Sequence, residues 1–137
     1  MVRSVAEDSK AEDSKAENSG GKTRVAVIGV GHLGRHHARI LGSLEGAALT
    51  AVVDTIRDRA VDVAAASGAR ALEDFRELFD QVDAVVVAVP TEIHHLVALP
   101  FLERGIAVLV EKPITRTLAE ADALIEAARA SGATLAV

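Results

Sequence analysis

The stretch RVAVIGVGHLG, residues 24–34, decides the fold. Arg24–Ile28 is a short β-branched run, which predicts a strand buried on both faces. It stops at Gly29, and Leu33, Ile40, Leu41 and Leu44 then recur at helical spacing, predicting a helix over 33–44. Between them lies Gly29-Val30-Gly31-His32-Leu33-Gly34, a G-x-G-x-x-G run at a strand-to-helix turn. Each glycine meets a different need. Gly29 permits the tight turn, Gly31 lacks the Cβ that would collide with a bound pyrophosphate, and Gly34 lets helix and strand pack closely.

Working outward, strand and helix signals keep alternating. Leu49–Val53 reads as a second buried strand closed by Asp54, and Arg57–Ser67 as a helix stopped by Gly68. Arg70–Leu72 is a short third strand and Asp74–Phe79 a short helix, in which Phe75 and Phe79 make a core contact. Ala84–Val89 is a fourth strand ended by Pro90. Ile93–Arg104 is a helix with Gly105 beyond its end. Pro100 predicts a kink or a new segment there, because its nitrogen cannot donate to residue 96. Ile106–Val110 is the fifth strand. Thr117 and Glu120 form a capping box for a helix running to about Ser131, and Thr134–Val137 begins a sixth strand. Strands alternating with helices in this way predict an α/β fold, a doubly wound parallel sheet of order 3-2-1-4-5-6. Its ligand crevice lies at the carboxyl ends of strands one and four.

The chain of 137 residues suits one domain with a real core. Only three residues are aromatic, so that core is built from Ala, Val, Leu and Ile. Residues 6–10 (AEDSK) repeat at 11–15 and partly at 16–19. With almost nothing apolar to bury, residues 1–22 are expected to be a disordered polar tail ahead of a folded domain at 23–137. The net charge of -5 argues against a nucleic-acid partner. Without cysteine, disulfides and thiolate metal sites are excluded. No apolar run reaches the ~20 residues of a membrane span, and the opening segment lacks a signal peptide's apolar region. A soluble cytoplasmic protein without a membrane partner is expected.

Three places after strands could carry chemistry. The glycine turn, with His32 and Leu33 at the helix start, presents free N–H groups and a helix dipole to an anion. Asp54 ends the second strand twenty residues after Gly34. A carboxylate there accepts from both adenosine ribose hydroxyls and repels a 2′-phosphate, which favours NAD over NADP. Arg57 and Arg59 could receive a 2′-phosphate, or lie on the exposed face of their helix. After strand four, Val89 and Pro90 lead into Thr91, expected to cap the next helix, with His94 and His95 in its first turn. By position alone both read as surface histidines. After strand five, Glu111-Lys112-Pro113 is either a surface ion pair or a lysine able to bind a substrate hydroxyl and take part in its proton transfer. His32, His36 and His37 lack a carboxylate or cysteine partner, and no metal site is assigned.

In combination, GxGxxGxxH (Gly29 to His37), Asp54, Pro90-x-x-x-His94 and Glu111-Lys112-Pro113 resemble the Gfo/Idh/MocA family of oxidoreductases over residues 23–137. The resemblance implies an NAD(P)-binding Rossmann domain, with NAD the favoured cofactor. It implies that Lys112 lies between nicotinamide and substrate and is the catalytic residue. Glu111 and His94 would border the nicotinamide end of the cofactor site, and His37 would serve packing. Thr91 stands where many members have Asn. The implied substrate is a secondary alcohol of a sugar, nucleotide sugar or cyclitol; GVGHLGRHHARIL and TEIHH are similar to members acting at C3 of nucleotide-linked amino sugars. Family members continue into a second α/β domain that carries the sugar pocket, a further catalytic histidine and the surface for a homo-oligomer. This chain is therefore expected to be a fragment without turnover of its own. The competing reading is a non-catalytic NAD(H)-binding or regulatory module, in which Lys112 would have no task.

Overall fold

Side chains alternate between the two faces of the central strands, and because both faces are buried the helices divide between them. The computed structural model describes residues 21–137, so the polar repeat and the disorder expected of it lie outside the described residues. Strands β1 (Thr23–Ile28), β2 (Ala47–Val53), β3 (Arg70–Leu72), β4 (Ala84–Val87), β5 (Ala107–Val110) and β6 (Leu135–Ala136) form one sheet. Every pair is parallel and the order is β3-β2-β1-β4-β5-β6, as expected. Four helices of the described residues cover it: α1 (Gly34–Ser43), α2 (Arg57–Ser67), α3 (His94–Glu103) and α4 (Leu118–Ser131).

Val25, Val27, Val52 and Val86 point to one face, where they pack with Val30, Ala38 of α1 and Ala64 of α2. The alternate residues Ala26, Ile28, Ala51, Val53, Val85, Val87, Val108 and Val110 meet Val97, Ala98, Phe101 and Leu102 of α3 and Leu124 and Ala128 of α4. The bulkiest buried side chains, Phe101, Leu78, Leu102 and Leu124, all lie in this second core. There Phe101 has its ring centroid 5.1 Å from that of Phe79 and 6.0 Å from that of Phe75. Phe75 and Phe79 also pack edge-on at 6.4 Å, the core contact their spacing predicted. At the amino ends of β1 and β4, Asp83 takes a bidentate hold on the Arg24 guanidinium at 2.9 and 3.2 Å and accepts the Arg24 N–H at 2.9 Å.

Several local expectations need correction. β2 begins at Ala47, two residues earlier than its apolar run suggests, and β4 ends at Val87, leaving Ala88 and Val89 in the turn. α3 stays one segment through Pro100, and Arg104 donates to the Pro100 carbonyl at 2.8 Å. Thr91 caps nothing: it opens a single 3₁₀ turn, Thr91–Ile93, without a side-chain cap. The segment 74–79 is likewise a 3₁₀ turn, Phe75–Leu78, with Asp74 accepting the Arg76 N–H. Thr117 does cap α4 by accepting the Glu120 N–H at 3.2 Å, but its hydroxyl donates to the Glu120 carboxylate, so the reciprocal half of the capping box is replaced. No helix among the described residues is long and apolar enough to cross a membrane.

Candidate functional site

The sheet order reverses between β1 and β4, and the turns leaving these two strands are locked together. Gly29 donates to the Val53 carbonyl at 2.7 Å, and Ala88 donates to the Ile28 carbonyl at 2.8 Å. Gly29 has φ +86°, and a Cβ there would lie 2.8 Å from the Ala88 backbone. At Gly34 a Cβ would lie 1.7 Å from the Gly29 carbonyl oxygen. Gly31 differs: its Cβ would meet only the Arg59 guanidinium, at 3.5 Å. Two glycines therefore close the turn, and the third leaves open space above it.

A crevice of about 600 Å³ opens at this point. It gathers Gly29, Gly31, His32, Leu33, Asp54, Val89 and Pro90 of the predicted site, joined by Ile56, Arg59, Phe75, Ile93 and Leu96. Gly34 is buried below the turn. Thr91, His94, Glu111 and Lys112 do not line this crevice.

Asp54 is buried, and its Oδ2 accepts the Val30 N–H at 3.0 Å while Oδ1 accepts the Ile56 N–H at 2.9 Å. Arg59 reaches Oδ2 at 3.5 Å from α2, so it leans over the turn and not away from it. Arg57 is far more exposed and lies 3.9 Å from Glu73. A carboxylate offers about four acceptor positions, so Asp54 retains capacity for hydroxyl donors. At the head of α1 the N–H groups of Arg35 and His37 are taken by the Gly31 and Leu33 carbonyls. No acceptor among the described residues meets the N–H of His32 or Leu33. Unpaired donors, an open glycine and a carboxylate with spare acceptors fit a dinucleotide's pyrophosphate and ribose.

His94 is not the surface residue its position suggested. It is 1% exposed, with Nδ1 2.9 Å from the Pro113 carbonyl and 3.2 Å from that of Ile114, and Nε2 2.8 Å from the Val89 carbonyl. His95 is partly exposed and stands 4.0 Å from Glu120. Nor does His37 merely pack: its Nε2 lies 2.6 Å from Glu111 Oε1, joining α1 to the turn after β5. The hydrogen bond from His37 holds the Glu111 carboxyl below its ordinary value, against an opposing push from burial, with help from the Lys112 backbone and charge. The peptide between Lys112 and Pro113 is cis. Among the described residues no cluster of three or more His, Asp or Glu could hold a metal ion, and His32 and His36 pack ring edge to ring face at 5.6 Å.

Residues 23–137 match the Gfo/Idh/MocA oxidoreductase family, NAD-binding Rossmann fold. A UDP-N-acetylglucosamine 3-dehydrogenase of Acidithiobacillus ferrooxidans is 41% identical over 114 residues, 83% of this chain and 36% of that protein. Its crystal structure superposes with a TM-score of 0.80 over 84% of this chain and 38% of its own. An inositol 2-dehydrogenase of Leifsonia xyli is 41% identical over 75% of this chain and 31% of its length. GenD2 from gentamicin A biosynthesis, solved in complex with NAD, is 36% identical with a TM-score of 0.80, over 84% of this chain and 34% of its own. The chain thus spans about a third of the length of the curated relatives it matches. A parallel sheet with a glycine turn at its switch point, matched over residues 23–137, makes this chain a member of the Gfo/Idh/MocA oxidoreductase family, carrying its NAD-binding Rossmann fold.

Proposed function

We propose that this chain is the cofactor-binding half of an NAD-dependent oxidoreductase acting on a secondary alcohol of a sugar, nucleotide sugar or cyclitol. The observation that carries the reading is Asp54, buried and oriented by the Val30 and Ile56 N–H groups at the rim of the open Gly31 turn. There it would accept from the adenosine ribose hydroxyls, while the N–H groups of His32 and Leu33 face the pyrophosphate. A 2′-phosphate would bring a dianion against a fixed carboxylate, so NAD is favoured over NADP despite Arg59. Ile56, Ile93 and Leu96 offer apolar surface for the adenine. When bound, nicotinamide supplies the hydride acceptor. Lys112, exposed and carrying no ion pair among the described residues, would hold the substrate hydroxyl and manage its proton at Nζ. The relatives named for inositol and for a UDP-linked sugar support the substrate class. Residues 1–137 alone are expected to bind cofactor with negligible turnover, and robust sugar-dependent NADH formation would overturn that.

Calorimetric titration of the chain with NADH and NADPH tests the proposal. Saturable NADH binding, weaker NADPH binding and a narrowing of that difference in Asp54→Ala are expected. A folded chain that binds NADPH as tightly as NADH, with Asp54→Ala changing neither, would sink the assignment of Asp54.

A further inference from the structure

Lys112 has an exposed side chain, yet the residues on either side of it are held. On its amino side, Glu111 donates its N–H to the Val87 carbonyl at 3.0 Å, and its carboxylate meets His37 of α1 at 2.6 Å. On its carboxyl side, the Pro113 and Ile114 carbonyls converge on Nδ1 of His94, whose Nε2 faces the Val89 carbonyl in the crevice wall. Lys112 therefore bridges two anchor points, each supplied by a histidine on a helix that follows a central strand.

We propose that His37 and His94 are positioning residues which together fix the main chain at Lys112 and tie it to the crevice at Val89. This rests on the reading of Lys112 as the group that handles the substrate proton. His94 is fully buried beside Val97 and Ala98, where an apolar side chain would serve packing alone. A ring with two polar atoms there is explained by the carbonyls it faces, since an unpaired buried carbonyl is costly. A neutral ring donates from one nitrogen, to either Val89 or the Pro113–Ile114 pair, and the doubly protonated ring donates to both. His37 acts differently, through a side chain-to-side chain contact that turns the Glu111 carboxylate toward α1. With both anchors set, the lysine stem starts from a fixed point and only its rotamers remain free.

The test is NMR relaxation of the Lys112 amide in residues 1–137, comparing His37→Leu and His94→Phe with His37→Gln and His94→Asn, which retain a donor. In the parent chain Lys112 should be as rigid as β5, with an order parameter near ~0.85. In the Leu and Phe variants it should fall toward the flexible range below about 0.6, while β1 and β4 amides hold. The Gln and Asn variants should recover part of the loss. If His94→Phe does not fold, His94→Asn and the half-exposed His37 position carry the same comparison. A Lys112 amide that stays rigid in the folded variants, or strands that loosen along with it, would overturn the proposal. A second arm measures NADH against ADP-ribose, which lacks nicotinamide. His37→Leu should weaken NADH five- to tenfold while ADP-ribose changes less than twofold; equal losses would assign the histidine to the fold alone and overturn the proposal. Should the parent chain bind neither ligand, the dinucleotide reading fails while the Lys112 order parameter still decides the positioning role.

Discussion

Placing one methyl group at Gly31 and, separately, at Gly34 should give opposite outcomes. At Gly34 the new Cβ would sit 1.7 Å from the Gly29 carbonyl oxygen and 2.7 Å from its carbon, both backbone atoms. The turn would have to open by about 1.3 Å to reach even a 3.0 Å contact. Overpacking of this kind costs about 1–3 kcal/mol or more, which in a domain of this size lowers the melting temperature on the order of 10 °C. At Gly31 the same methyl meets only the end of the Arg59 side chain, at 3.5 Å, which can swing aside. Gly31→Ala should therefore melt at or slightly above the parent temperature, because alanine restricts the unfolded chain by about 0.4–1 kcal/mol. Its effect should fall on binding. A methyl above the turn holds a pyrophosphate away from the helix N–H groups, and losing one charge-assisted hydrogen bond costs about 1.5–3 kcal/mol, roughly ten- to 150-fold in affinity. Far-UV circular dichroism reports the melts and calorimetry the NADH affinity, since the chain has neither Trp nor Tyr. The reasoning is refuted if Gly31→Ala melts as low as Gly34→Ala, or if folded Gly31→Ala binds NADH like the parent.

Other substitutions probe separate links. Phe101→Ala removes the ring on which Phe75 and Phe79 converge and should cost about 3–5 kcal/mol in urea unfolding, with the slope unchanged. Asp83→Asn leaves one acceptor for an Arg24 side chain that is only 22% exposed, and should cost about 1–2 kcal/mol, diminishing little at high salt. Glu111 carries a pH prediction. Its carboxyl is held below the ordinary 4.5 chiefly by the His37 hydrogen bond, so the unfolded chain binds the proton more readily. The stabilisation is thus fully present above that value and lost as pH falls through the depressed one. Glu111→Gln should be less stable than the parent at neutral pH, and the gap should close on acidification below 4.5. A gap that widens on acidification would reverse the assignment.

The fold was legible because its signals are local. Arg24–Ile28, Leu49–Val53 and Ala84–Val87 are β-branched runs punctuated by Gly29, Asp54 and Pro90, and strand alternation with helices leaves one natural sheet order. The crevice was legible in part for the same reason: Gly29, Gly31, Asp54, Val89 and Pro90 follow strand ends, whereas Arg59, Ile93 and Leu96 reach it from helical segments and Glu111 and Lys112 do not line it. Errors fell where local rules compete with packing. Pro100 loses one helical hydrogen bond, yet Ala98, Phe101 and Leu102 on either side of it are fully buried, and that burial keeps α3 whole. Thr91 has the chemistry of an N-cap, but the chain after Pro90 first makes a 3₁₀ turn and begins α3 three residues later. Strand β2 starts at Ala47, where alanines give no β-branched signal and pairing with Thr23 alone reveals the strand.

The histidines mark the boundary of what pattern can disclose. His36 and His37 are adjacent and chemically identical, yet one is exposed and the other meets a glutamate 74 positions away. His94 and His95 repeat the contrast, the first wholly buried among carbonyls and the second partly in solvent. Helical geometry separates neighbours by about 100°, so one of a pair can turn inward while the other faces solvent, but the period alone does not say toward what. Only the sheet order settles it. Putting β5 beside β4, and β4 beside β1, brings the turn at Glu111–Ile114 within reach of the first turns of both α1 and α3. Inward-facing histidines at the heads of those helices then meet this turn from two directions, one on either side of Lys112.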